Sequence, residues 1–138
     1  MGFIRTQVAG VGRMPHILRA GDGYVANPLP TAYAAETDET ITITELSGGH
    51  LIQGTTLTSD VVYTLPTSVI IEAEWPEMDV GDSYPFYVAN TQAAAFDVVI
   101  AIGVGITAIG ANNTLSVPPQ GGRMFLLVKT STTTHDLY

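Results

Sequence analysis

Phe96-Asp97-Val98-Val99-Ile100-Ala101-Ile102 is the stretch that decides the fold. Its β-branched residues suit an extended, pleated chain, and Phe96, Val98, Ile100 and Ile102 fall on one face at the strand period of two. Val99 and Ala101 make the other face apolar too, so both faces of this strand expect cover. Arg123-Met124-Phe125-Leu126-Leu127-Val128-Lys129 reads the same way.

Outward from these two strands the β texture continues. Thr40-Ile41-Thr42-Ile43-Thr44 alternates polar and apolar β-branched residues, the mark of a half-buried strand. Ser47-Gly48-Gly49 is a turn, and Val61-Val62-Tyr63-Thr64-Leu65 stops at Pro66. Val69, Ile71, Ala73 and Trp75 share one strand face, with Glu72 and Glu74 on the other. Pro85, inside the aromatic run 84–88, marks an edge or a bulge. About eight or nine short strands, spaced roughly 8–12 residues apart and without a convincing amphipathic helix, predict an all-β domain over 37–138. The expected architecture is a jelly-roll-like antiparallel β-sandwich.

Residues 1–36 read differently. Glycines and prolines recur (Gly2, Gly10, Gly12, Pro15, Gly21, Gly23, Pro28, Pro30) and no helical or strand period is sustained, so an extended, irregular N-terminal arm is expected. Charge divides at nearly the same place. Residues 1–33 hold Arg5, Arg13 and Arg19 against Asp22, a net +2, whereas 34–138 carry net −10.

Across all 138 residues, 46% are hydrophobic and only 13% charged, with a net charge of −8. An ordinary soluble chain carries about 25% charged residues, so part of this surface is expected to be covered by another protein. The acidic balance argues against nucleic acid and anionic membrane as partners. No run approaches the roughly 18 apolar residues of a membrane span, and no apolar signal region follows Met1. The absence of cysteine removes disulfides, thiolate zinc sites and cysteine nucleophiles.

No enzyme motif survives inspection. His16, His50 and His135 lie in three separate regions without metal-ligand spacing. Ser47 and His50 share a turn, which does not make a triad, and there is no G-x-S-x-G elbow. Glu72, Glu74, Glu77, Asp79 and Asp82 could be read as a calcium site, but an acidic strand edge and turn produce the same string. The glycines at 103, 105 and 110 lack the Gly-Lys-Ser/Thr ending of a phosphate loop. No catalytic residue, cofactor or metal is expected.

From Thr56 to Ser131 the chain resembles a β-sandwich module of tailed-bacteriophage virion proteins, especially capsid decoration (cement) proteins and fibre-type domains. The resemblance is carried by Leu57-Thr58-Ser59-Asp60-Val61-Val62-Tyr63-Thr64-Leu65-Pro66 and Val80-Gly81-Asp82-Ser83-Tyr84-Pro85-Phe86-Tyr87-Val88-Ala89-Asn90. It continues through Gly103-Val104-Gly105-Ile106-Thr107 and Gly122-Arg123-Met124-Phe125-Leu126-Leu127-Val128. It implies a homotrimer on the outer surface of the capsid that clamps neighbouring major capsid proteins and stabilises the head. On this reading the arm binds the capsid through Phe3, Ile4, Arg5, Val8, Arg13, Ile17, Leu18 and Arg19, and the two-faced strands supply the trimer interface through Phe96, Val98, Ile100, Phe125 and Leu127. The alternative is a fibre-type head that binds a receptor or glycan through its loops; no heptad or shaft repeat accompanies it.

Overall fold

The computed structural model describes residues 37–54, 56–93, 95–110 and 115–138, together with the backbone of 31–33. Among these residues, ten strands in two sheets and two short helices make an all-β fold. One sheet holds β1 (Thr31–Tyr33), β3 (His50–Gln53), β5 (Ser83–Asn90), β7 (Ile106–Ala108), β9 (Gly121–Lys129) and β10 (His135–Leu137), in the order β1-β3-β5-β9-β10-β7. The other holds β2 (Glu39–Thr40), β4 (Val61–Thr64), β6 (Val98–Ala101) and β8 (Ser116–Val117), in the order β2-β4-β6-β8.

From β1 to β9 the chain visits the two sheets alternately. Up to β6 each strand that returns to its sheet does so after a full crossover, which sets it parallel to the previous one. β1, β3 and β5 pair in parallel, as do β2, β4 and β6, and β7 is parallel to β10. Only β5–β9, β6–β8 and the β9–β10 hairpin are antiparallel among the described residues. The all-β expectation holds, and the expected antiparallel pairing is corrected: five of the eight described strand pairings are parallel. Most of these turns carry the chain from one sheet to the other rather than back within a sheet.

The core forms where the inward faces of the two sheets meet. In β5 the even positions Tyr84, Phe86 and Val88 are buried, and in β9 Phe125 and Leu127. The register sets Phe86 opposite Phe125, with rings stacked at 5.3 Å. Val61 and Tyr63 of β4 meet Val98 and Ile100 of β6 in the facing sheet. Pro85 sits where its missing N–H costs nothing. The Tyr87 N–H reaches Gly49 O on the β3 side at 2.8 Å, and Pro85, two residues earlier, would point the same way, beyond the first residue of β3.

Two stretches expected as strands are helices. After β2, Thr42 ends the extended chain and caps α1 (Ile43–Ser47). Its hydroxyl accepts the Glu45 N–H while Glu45 Oε2 accepts the Thr42 N–H at 2.7 Å, a complete capping box. Likewise Thr67, after Pro66, caps α2 (Ser68–Glu74). Ile71 and Trp75, four apart, are buried on one side of α2, while Val69 and Ala73 face out. Within the stretch expected as an arm, Thr31–Tyr33 form the strand β1, which pairs with β3. Residues 1–30 and 34–36 lie outside the described residues.

Removing the α1 cap by Thr42→Ala is expected to lower stability by about 1 kcal/mol. Urea unfolding followed by circular dichroism measures it, and an unchanged midpoint would show that the capping box contributes nothing.

Candidate functional site

Two features stand out on this frame: a polar cluster buried under α2 and an apolar groove beside it. The β9–β10 hairpin sets Lys129 opposite His135, both facing inward. From α2, Ser68 and Glu72, four residues apart on one helix face, descend onto that pair. Lys129 Nζ donates to Glu72 Oε2 at 2.6 Å and to Met78 O at 2.7 Å. Ser68 Oγ lies 2.9 Å from His135 Nδ1 and 2.8 Å from Gly105 O. His135 Nε2 faces Glu72 Oε1 at 3.4 Å, and neither atom has another partner.

Burial drives the His135 pKa down from 6.5, aided by the Lys129 ammonium and opposed by Glu72. The ring is therefore neutral at pH 7. Its proton belongs on Nε2, toward Glu72, with Nδ1 accepting the Ser68 hydroxyl; this tautomer leaves the fewest atoms unpaired. The order serine–imidazole–carboxylate is that of a nucleophilic relay. Here the serine is only 1% exposed and His135 fully buried, so the hydroxyl has no route to a substrate. Gly105 closes the site: at φ +84° it occupies the left-handed region, and a Cβ on it would sit 2.8 Å from Ser68 Cβ.

Sequence reading did not assemble this cluster. His135 stood alone in sequence, and Glu72 was paired with Glu74 on a supposed strand face. In the helix the two diverge, Glu72 turning to Lys129 while Glu74 is exposed. No group of three or more histidine, aspartate or glutamate side chains suited to a metal occurs among the described residues.

The groove lies at the carboxyl ends of the three parallel strands β2, β4 and β6, where the chain leaves each for its next element. It is lined by residues 40–43, 64–67, 70 and 102–104, encloses about 590 Å³ and, among the described residues, carries no charged side chain. Ile41 and Leu65 belong to the buried core, whereas Ile70, Ile102 and Val104 are exposed, Val104 by 81%. Val69, next to Ile70 on α2, is 69% exposed.

The expected trimer-interface residues fall elsewhere. Val98, Ile100, Phe125 and Leu127 are fully buried in the chain's own core, and Phe96 packs half-buried against it. In the single chain the side chains of Val98, Ile100, Phe125 and Leu127 are taken up by its own core. The outward faces of the same strands still hold Val99, Leu126 and Val128, half-buried, and the exposed Met124. Phe3, Ile4, Arg5, Val8, Arg13, Ile17, Leu18 and Arg19 of the expected capsid-binding arm lie outside the described residues. Comparison with protein-family models, with curated proteins and with solved structures finds no match to this chain.

Replacing Lys129 by Met leaves Glu72 without its countercharge and is expected to cost about 3 kcal/mol. Adding Glu72→Met should restore most of that loss, since an apolar pair can replace a buried ion pair. Equal unfolding free energies for the single and double variants would contradict the proposed pairing.

Proposed function

We propose that this protein is a structural component of a phage particle, a capsid decoration or cement protein. In this reading it assembles as a homotrimer on the outer surface of the shell and clamps neighbouring major capsid proteins. The observation that carries the reading is the charge-free aliphatic groove with the exposed Val69, Ile70, Ile102 and Val104 around it. On a chain of net charge −8, such a surface gains by burial against protein, at about 25 cal/mol per Å² of apolar area removed from water. The trimeric state and the shell location come from the resemblance of residues 56–131 to decoration modules. The groove and its rim replace the buried core residues as the proposed subunit contact.

The N-terminal segment is the proposed clamp. Arg5, Arg13 and Arg19 would meet acidic surface on the capsid protein, while Phe3, Ile4, Val8, Ile17 and Leu18 supply apolar area. Exposed ion pairs contribute about 0–1 kcal/mol each, so the apolar residues and the many copies on a lattice would carry the attachment.

Deleting residues 1–30, which spares β1, is expected to abolish occupancy on purified capsids while leaving the β circular dichroism intact. Full occupancy without the segment would overturn the clamp, and a handful of copies per particle with tight binding to host polysaccharide would favour a receptor-binding head. The double variant Ile102→Lys/Val104→Glu is expected to reduce the light-scattering mass from three chains to one without unfolding. An unchanged mass would remove the groove from the subunit contact.

A further inference from the structure

We propose that Ser68, Glu72, Lys129 and His135 form a proton-operated clasp that holds α2 against the six-stranded sheet and releases it when the imidazole takes up a second proton. The inference is independent of the virion reading, since it rests only on how α2 is attached. Two kinds of contact hold this helix. Ile71 and Trp75 enter the core, and Ser68 and Glu72 grip the two residues of the β9–β10 ladder below.

At neutral pH the grip is charge-balanced. Glu72 and Lys129 form an ion pair at 2.6 Å and the ring beside them is neutral. The groups around His135 can be followed element by element. From α2 come the Glu72 carboxylate and the Ser68 hydroxyl, and from β9 the Lys129 ammonium. The turn before β7 offers an uncharged partner, Gly105 O, which accepts the His135 N–H at 3.0 Å, and β7 itself sets apolar Ile106 opposite His135. In the turn leading into β5, Met78 O is held by Lys129, and the Asp82 carboxylate accepts the Asp79 N–H at 2.9 Å.

A proton arriving on Nδ1 breaks no hydrogen bond. The Ser68 hydroxyl rotates from Nδ1 to Gly105 O, already 2.8 Å away, and its oxygen then accepts the new N–H. What changes is charge. The cluster gains one positive charge on a fully buried ring, where burial and the Lys129 ammonium oppose it and Glu72 Oε1, 3.4 Å from Nε2, offsets only part of that cost.

The sign follows directly. The unfolded chain binds this proton near pH 6.5 and the folded chain only at lower pH, so the closed state loses stability as pH falls below about 6.5. Relief comes from the least anchored partner. β9 and β10 are fixed in the sheet on both sides, whereas α2 is seven residues long with an exposed outer face, so α2 moves and water reaches the ring.

The release has a built-in reporter. Trp75, the sole tryptophan, caps the C-terminal end of α2 and packs on Tyr84 with ring centroids 4.4 Å apart. The experiment follows Trp75 emission and acrylamide quenching of the full-length protein from about pH 8 to 5.5, with far-UV circular dichroism monitoring the sheets. The expected result is a one-proton transition below pH 6.5 in which Trp75 becomes as quenchable as an exposed indole while the β signal persists. His135→Gln should abolish the transition, and His16→Gln/His50→Gln, in which His135 is the only histidine left, should retain it. If His135→Gln does not fold, the second variant decides alone. Loss of the transition in that variant, its persistence in folded His135→Gln, or a Trp75 signal flat with pH in the unmodified protein would overturn the clasp.

Discussion

The structure depends on one ladder, the antiparallel pairing of β5 with β9 over eight consecutive residue pairs from Ser83↔Val128 to Asn90↔Gly121. On the β5 side it carries the parallel strands β3 and β1, and on the β9 side β10 and β7. Without it the six-stranded sheet would fall into two pieces, neither with a continuous inward face. The Phe86–Phe125 stack lies at its middle. Gly122 has no side chain because the Tyr87 ring crosses that position on the outer face, and a Cβ would run into the Tyr87 hydroxyl. One residue past the ladder β9 ends at Lys129, which pairs with His135 and so fixes where α2 can bind.

Alternate visits to the two sheets have a functional consequence. Inward side chains of β4, β5, β6 and β9 are all spent in one core, so contact with other proteins falls to strand ends, outer faces and helix exteriors. The groove arises there, at the common carboxyl end of β2, β4 and β6, where three successive exits from parallel strands leave an aliphatic hollow. The chain's low charge is concentrated in the same way. Of the two cations of residues 34–138, Lys129 is buried against Glu72 and Arg123 lies over the Phe125 ring, 5.0 Å from its centroid.

The period-two strands were readable from sequence because their alternation reports burial directly. β5, β6 and β9 overlap the stretches 84–88, 96–102 and 123–129 read as strands, although β6 spans only Val98–Ala101 and leaves Ile102 exposed. The helices were not, for a specific reason. Thr40 to Thr44 satisfies both a strand alternation and a Thr-x-x-Glu cap, and Ile71 with Trp75 fits both i, i+2 and i, i+4 spacing. In each case the threonine cap decided locally what the hydrophobic pattern left open. Strand direction was hidden because a short turn looks the same whether it reverses within a sheet or crosses to the other. The buried cluster was hidden because Ser68 and His135 lie 67 residues apart and meet only through the β9–β10 hairpin and the fold of α2 over it.

In the proposed assembly the groove at the ends of β2, β4 and β6 becomes covered. Hydrogen–deuterium exchange, measured on the isolated protein at low concentration and on the protein bound to capsids, tests it most directly. Peptides spanning 64–70 and 102–104 are expected to gain protection on the particle, while the already buried β5–β9 ladder changes little. Unchanged exchange in both groove peptides on fully occupied capsids would contradict it.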